Sequence, residues 1–581
     1  MVDINRPWVV DTPELSGRFP IYTRGNTGEV AGRVSTPLSW SSIGGWPAEI
    51  QWRKALVEFG AFDEDEFRPD EMDITALIHG YIYMNLSIAR VFGVRMPGAS
   101  AELMDRAYLG ESAGVKPYVA EPGDDAPQYT ERIMATVQRV LGARSRPDLE
   151  EDARRAAELR AARPDFAAMS DRELLAHHHK IMTGHYGGVL RKHLLMVYES
   201  TLVTGMLQEV IAELSDPTLE VRLMGGWGGV ASAAPTIGLW RLSRTVRGSG
   251  TLTAEFEAGD MAGLDGRLRA LSDPDARAFV ADFDAFLFEY GSRSTDEWEA
   301  LPATWETHPH IALGLVDRMR LQSDERSPES LAPRVREERE ELTRRLRERL
   351  ADRPELLGKL DTALQAMAVW MPARELSKTT TIRVLQEARL PFRELGRRHV
   401  ERGLLESIDD IGLLDIDELG TLIDDPEAVL PLIPERKKWK AELEALEPPF
   451  VVDGAVPPVT QWAKRSAPAA SPGRSGDVLT GLGACPGAAT GRARVIHDPA
   501  DAIGLEPGEI LVAPVTDPGW TPLFASALGV VVNVGSPLSH AAIVSRELGI
   551  PAVLAVEQAT KRIADGTLIT VDGTAGTVTI H

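Results

Sequence analysis

A histidine placed at the first residue of a short helix, just past a glycine-containing turn, is well set to carry an anionic group, and His540 has this setting. Val530 to Val534 reads as a strand, Gly535-Ser536-Pro537-Leu538-Ser539 as a sharp turn, and the stretch from His540 to Leu548 as a helix of about two turns stopped by Gly549 and Pro551. Imidazole titrates near pH 6.5, so an appreciable fraction is neutral and nucleophilic around neutral pH. A phosphoryl group on it would face the N–H groups and the positive dipole end of the helix. Ser539 and Gly535 are the expected phosphate-stabilising residues, and Ala541 and Ala542 leave room for a reactant. Taken singly, a histidine more often caps a helix or binds a metal; it is the surrounding segment that raises His540 above that background.

A second constellation is Arg374-Glu375-Leu376-Ser377-Lys378. On a helix, Arg374 and Lys378 are four apart and Glu375 and Lys378 three apart, so the three side chains can face one spot. Two cations would hold charge on the equatorial oxygens of a transferring phosphoryl group, and Glu375 would accept the proton of an attacking hydroxyl. The same spacing is common on solvated helix faces. His177-His178-His179 cannot converge on one ion, because consecutive helical residues point about 100° apart, so a surface or packing role is expected and no metal site. Gly225-Gly226-Trp227-Gly228-Gly229-Val230 lacks the Gly-Lys-Ser/Thr ending of a phosphate loop and reads as a loop before a helix.

The elements that position these residues fall into two textures. From about residue 50 to 450, helical apolar spacing prevails and period-2 strands are scarce; Val335, Leu342, Leu346 and Leu350, spaced along an Arg/Glu-rich run, mark one narrow buried stripe. Residues 464–476 form a Pro/Ser/Gly/Ala segment with little apolar surface, read as a flexible linker. Beyond it, Arg494-Val495-Ile496, Glu509 to Val512, Val530 to Val534 and Leu568 to Val571 read as short strands. The expected fold is therefore multidomain: a large, mainly α-helical domain over 1–463, the linker, and a small α/β domain over 477–581.

With 63 basic and 86 acidic residues among 581, the net charge of −23 and the lack of a Lys/Arg-rich track exclude nucleic acid as a natural partner. No window approaches about 18 consecutive apolar residues and the start lacks a signal-peptide pattern, so no membrane is expected and the chain is read as soluble and cytoplasmic. The single cysteine, Cys485, is expected as a small buried residue, in keeping with a reducing compartment.

The stretch from Gly535 to Pro551 closely resembles the swivelling phosphohistidine domain of enzymes that use phosphoenolpyruvate or split ATP into AMP and phosphate. That family carries Gly-Gly-x-x-Ser/Thr-His-Ala-Ala-Ile-x-x-Arg-Glu-x-Gly-Ile-Pro around its phosphorylated histidine. The resemblance extends over nearly all of 477–581, including Gly483-Ala484-Cys485-Pro486-Gly487, Gly491-Arg492-Ala493 and Thr516 to Leu523. It assigns the phosphorylated position to His540. Ser536 stands where the family has a second glycine, and either reshapes the turn or supplies a hydroxyl.

Residues 1–460 resemble, more weakly, the acceptor domain of rifampicin phosphotransferases and the histidine-bearing subunit of phenylphosphate and 4-methylphenylphosphate (cresol) synthases, which serve aromatic degradation. The resemblance rests on Arg24 to Val30, Thr36-Pro37-Leu38-Ser39-Trp40, Tyr290-Gly291-Ser292-Arg293 and Leu395-Gly396-Arg397-Arg398. It implies acceptor-binding roles for Asn26, Glu29 and Arg293, and catalytic roles for Arg374, Glu375 and Lys378 beside His540. Ser292 and Ser294 replace a histidine and a glycine of relatives, which leaves that histidine's role in doubt here. No nucleotide-binding domain is evident, and the chain ends 41 residues after His540, without room for a phosphoenolpyruvate barrel.

The layout thus implies a two-component, heteromeric enzyme. A separate ATP-grasp subunit would hold ATP and Mg²⁺ and load His540, which would then phosphorylate a phenol-like or other small apolar hydroxyl; Trp298, Trp305, Trp370 and Met371 would suit such an acceptor, or equally a core. Two other readings stand beside it: a larger natural product or antibiotic as acceptor, and a non-catalytic phosphocarrier or regulatory module.

Overall fold

The computed structural model describes residues 6–109, 115–216, 218–228, 231, 234–324, 327–465, 473–497, 505–506, 508–516, 520–535 and 539–581. Most of the expected linker, 466–472, and Ser536 lie outside the described residues. Contacts divide the chain into two compact units: Met1–Leu202 with Trp298–Pro302 and Leu376–Ala467, and Val203–Glu297 with Ala303–Glu375 and Pro468–His581.

The first unit is chiefly helical. Two of its helices start with capping boxes: Asp171–Ile181 with Ser170/Glu173, and Ile416–Asp424 with Asp415/Glu418, satisfying end N–H groups that would otherwise be unpaired. Phe59, Phe92, Leu195, Leu385, Phe392 and Leu419 lie in its main core. The run Asp171–Leu214 is long and apolar enough by composition to cross a membrane, with a mean hydropathy of 1.2 in an 18-residue window. More than half of that window is buried inside the protein, where Leu190, Leu194 and Leu195 join the core, as in the central helix of a globular domain.

Strands are as scarce in the 50–450 region as its sequence indicates: among the described residues only Thr75–Ile78, Tyr81–Asn85 and Leu446–Glu447 fall within it. β1 (Ile21–Thr23), β2 (Thr75–Ile78), β3 (Tyr81–Asn85) and β5 (Val451–Asp453) form an antiparallel sheet in the order β2-β3-β1-β5, and β4 (Leu446–Glu447) pairs with β6 (Ala463–Lys464). Every residue of β1 and β2 is buried, so these strands show no polar alternation to read.

The second unit joins helices of 203–375 to an eight-stranded sheet. Its strands are β7 (Val478–Thr480), β8 (Leu482–Cys485), β9 (Ala488–Val495), β10 (Glu509–Ala513), β11 (Gly529–Val532), β12 (Ala552–Leu554), β13 (Leu568–Asp572) and β14 (Thr577–Ile580), in the order β7-β14-β13-β9-β10-β11-β12-β8. β9 to β12 run parallel, with registers such as Leu511↔Val530 and Val530↔Ala552; the flanking strands are antiparallel. Alternate residues serve opposite faces. Ile510, Val512, Val531, Val553 and Val571 fill one core, while Leu511, Val530, Val532 and Leu554 join a second core with Trp240, Phe286, Trp305 and Leu313 of the helices. The large helical part followed by a C-terminal α/β sheet is the architecture read from the sequence.

Candidate functional site

The site is built at the carboxyl ends of two parallel strands, where open α/β sheets place their ligands. β11 ends at Val532 and the chain returns in the helix His540–Leu548, stopped by Gly549 in the left-handed conformation at φ 65°. β10 leads to Thr516, and the helix Thr521–Ser526 follows. His540 is thus the first residue of its helix, as its sequence setting indicates.

The imidazole is gripped from the neighbouring connection. Its Nε2 lies 2.8 Å from Thr521 Oγ1 and its Nδ1 3.4 Å from Thr516 Oγ1, with Phe524 edge-on at 5.9 Å between ring centroids. Both threonines and Phe524 are buried, while His540 is half-buried, so the ring is oriented on one side and accessible on another. Ser539 is the N-cap residue, yet its side chain makes no capping bond; its Oγ is buried without a hydrogen-bond partner among the described residues. A side chain at Gly535 would come within 3.3 Å of that Oγ and 3.1 Å of Leu554, so glycine keeps the space beside the hydroxyl open. A buried hydroxyl without a partner among the described residues is suited to donate to a phosphoryl oxygen. Thr516 and Thr521 were not singled out from the sequence as site residues. Both lie in the run Thr516 to Leu523 that carries part of the family resemblance, which marked the segment but not the two hydroxyls.

Arg374, Glu375 and Lys378 do lie on helix, the 48-residue Pro354–Glu401. Arg374 Nη1 approaches Glu375 Oε1 at 3.6 Å; Glu375 is buried and Lys378 half-buried. Arg374 and Glu375 belong to the second unit, Lys378 to the first. Arg293 is buried in the second unit, where Nη1 pairs with Glu297 Oε1 at 3.1 Å and its carbonyl accepts from Trp305 N–H. Ser292 and Ser294 are buried beside it.

In the first unit, Asn26 is exposed and precedes the helical turn Thr27–Val30 without capping it; the Glu29 side chain lies outside the described residues. Their neighbour Arg24 is structural, bonding the carbonyls of Ile82 and Ala31 and stacking on Tyr81. Gly25 admits no side chain, since a Cβ there would meet Tyr108 O at 2.0 Å. Thr36 and Ser39 both donate to Oε2 of the half-buried Glu299, at 3.1 and 2.6 Å, and desolvation holds that carboxyl above its ordinary range.

The remaining candidates have packing roles. His178 is buried with Nδ1 2.8 Å from Ala388 O, His177 lies edge-on to Phe166, and His179 is exposed, so the three diverge. Trp305 and Trp370 are core residues, 1% exposed. Burial pushes the Cys485 thiol up to about 12, which leaves it inert as a nucleophile.

Comparisons with known proteins agree with this anatomy. Residues 505–576 match the family model of the PEP-utilising enzyme mobile domain, and residues 192–375 that of the rifampicin phosphotransferase fourth domain. Residues 505–576 are thus similar to the mobile domain of PEP-utilising enzymes, and residues 192–375 to the fourth domain of rifampicin phosphotransferase.

Among its relatives, the prodigiosin synthesizing transferase PigC of Serratia marcescens is 34% identical over 62% of this chain and 40% of its own length. A rifampicin phosphotransferase of Bacillus cereus is 32% identical over 51% of this chain and 34% of its own. The uncharacterized phosphotransferase YvkC of Bacillus subtilis is 26% identical over 67% and 47%. The chain thus spans less than half the length of each of these relatives.

Proposed function

We propose that this protein is the phosphohistidine-carrying component of a phosphotransferase, in which His540 accepts a phosphoryl group and passes it to a hydroxyl. The observation that carries this reading is His540 at the first residue of its helix, held by Thr521 and following Ser539, whose buried hydroxyl has no hydrogen-bond partner among the described residues. The matches to the PEP-utilising mobile domain and to rifampicin phosphotransferases support it.

In the first half-reaction an imidazole nitrogen attacks the β-phosphorus of ATP; a P–N bond forms as the α,β-anhydride breaks and AMP leaves, and water then cleaves the β,γ-anhydride, releasing phosphate and leaving one phosphoryl group on His540. ATP and Mg²⁺ are held by a separate ATP-grasp subunit. In the second, the oxygen of the acceptor hydroxyl attacks phosphorus in line, the P–N bond breaks, and the hydroxyl proton passes to Glu375. Arg374 and Lys378 hold the equatorial oxygens, and Ser539 and the first-turn N–H groups hold the phosphoryl group before transfer. The acceptor is a phenol-like or other small apolar alcohol.

A second reading takes a natural product or antibiotic as acceptor; the printed names of PigC and of the rifampicin phosphotransferases favour it. Incubation of the loaded protein with phenol, p-cresol and rifampicin, followed by detection of the phosphorylated product, separates the two. Discharge to none of the three, with His540 fully loaded, counts against both acceptor classes and leaves a regulatory phosphocarrier.

A further inference from the structure

The helix that begins with His540 ends in two buried charged residues that phosphoryl chemistry at its other end does not use, Arg546 and Glu547. Arg546 turns back on its own domain, donating from Nε to Ala484 O at 3.0 Å. Glu547 reaches outward to the helical segment of the same unit. Its Oε1 accepts the Gly226 N–H at 3.1 Å, and the Trp227 N–H also donates to the carboxylate.

The receiving loop is shaped for this contact. Gly226 sits at φ 69°, and a Cβ there would strike the Arg336 backbone at 2.8 Å; at Gly225 it would meet Arg546 Cβ at 3.2 Å. The Arg339 guanidinium lies over the Trp227 ring at 3.9 Å and adds positive charge near the carboxylate. Nearby, Gln322 donates to Ser526 Oγ at 2.8 Å in a second buried polar contact between helical segment and sheet domain. The glycine-rich run Gly225–Gly228 therefore has a use distinct from phosphate binding: it offers successive backbone donors to a carboxylate, as anion-binding nests do.

His540 and Glu547 are seven residues apart on one helix, a rise of about 10 Å and close to two whole turns, so they share a face. A short helix is rigid, and fixing its carboxylate end fixes the placement of its histidine end.

We propose that Glu547 is a positioning residue for phosphoryl donation: clamped by the Gly226 and Trp227 amides, it docks the histidine helix on the helical segment that precedes the sheet domain. This inference rests on the reading of His540 as the phosphoryl carrier. The clamp holds the donating arrangement and opens when the domain leaves to be reloaded. Loading of His540 then does not need Glu547, whereas discharge to an acceptor does.

Two measurements on the full chain test this, using wild type, Glu547→Ala and Glu547→Gln. The first needs no substrate. Hydrogen–deuterium exchange of peptides covering Gly225–Gly228 should quicken in Glu547→Ala, with β10 and β11 protected as in wild type; unchanged exchange in that loop overturns the clamp.

The second loads His540 chemically with potassium phosphoramidate and follows discharge to p-cresol or rifampicin by intact mass. Glu547→Ala should load to the wild-type extent and discharge about tenfold more slowly. Glu547→Gln, whose amide oxygen still accepts an N–H, should recover much of that rate. Wild-type discharge in Glu547→Ala, or equal loss of loading and discharge, overturns the positioning role. Failure of wild type itself to load counts against the carrier reading alone, and the exchange measurement still decides the clamp.

Discussion

Thr521 Oγ1 lies 2.8 Å from the distal nitrogen of His540 and orients the ring that the proposed function makes the phosphoryl carrier. Thr521→Val keeps the shape and removes the hydroxyl, a loss of about 1 kcal/mol of orientation. Loading of His540 should fall by about fivefold while thermal unfolding stays near wild type; an unchanged loading rate would show that the ring is held by other contacts.

A second residue-scale prediction concerns His178, whose imidazole burial drives from 6.5 down to about 4, against the smaller opposing effect of the Ala388 carbonyl. Because the folded value lies below the unfolded one, this stabilisation is complete above pH 6.5 and is lost as pH falls toward 4. It amounts to at most about 3 kcal/mol. Urea unfolding at pH 7 and pH 4 should show a smaller stability difference in His178→Gln than in wild type, and equal differences would contradict it. At this scale the strand, turn and helix signals placed His540 at a helix start, and the resemblance of Gly535 to Pro551 to the phosphohistidine domain singled it out. Neither revealed Thr516 or Thr521, whose contact with the ring arises only when two parallel crossovers lie side by side.

The histidine helix could be read to the residue because both ends carry local signals: the turn before His540, and Gly549, whose φ of 65° is the left-handed stop that glycine adopts freely. The four-stranded sheet of the first unit could not, because β1 and β2 are short and buried throughout and so lack the alternation that marks a strand. The docking role of Gly549's neighbourhood gives an element-scale prediction. Gly549→Ala introduces backbone strain of about 1 kcal/mol, and its Cβ would lie 3.3 Å from Val335 Cγ2. Gly566→Ala, at φ 78° with nothing within 4 Å, carries the strain without the crowding. Differential scanning calorimetry should show the Gly549 variant melting below the Gly566 variant by a few degrees; the reverse order would mean that Val335 gives way without cost.

At the scale of the whole molecule, the helical and α/β textures were plain from composition and periodicity. Less plain was where the sheet domain packs: it clusters with Val203–Glu297 and Ala303–Glu375 in one compact unit, through a core shared by Trp240, Phe286, Trp520 and Val544. Linker composition marks where a chain lacks core residues, but which neighbour the following domain covers depends on apolar faces assembled in three dimensions.

The proposed division of labour, with ATP held by a partner, predicts that ATP-Mg²⁺ alone leaves His540 unmodified and that adding an ATP-grasp subunit loads it. Loading by ATP in the absence of any partner would contradict the two-component reading.

The central claim is tested most directly by intact mass spectrometry of wild type and His540→Ala after incubation with ATP-Mg²⁺ and an ATP-grasp partner. The expected result is one acid-labile phosphate on wild type, absent from the variant and released on adding an acceptor hydroxyl. An acid-stable phosphate, or equal modification of His540→Ala, would contradict the assignment of His540 as the phosphoryl carrier.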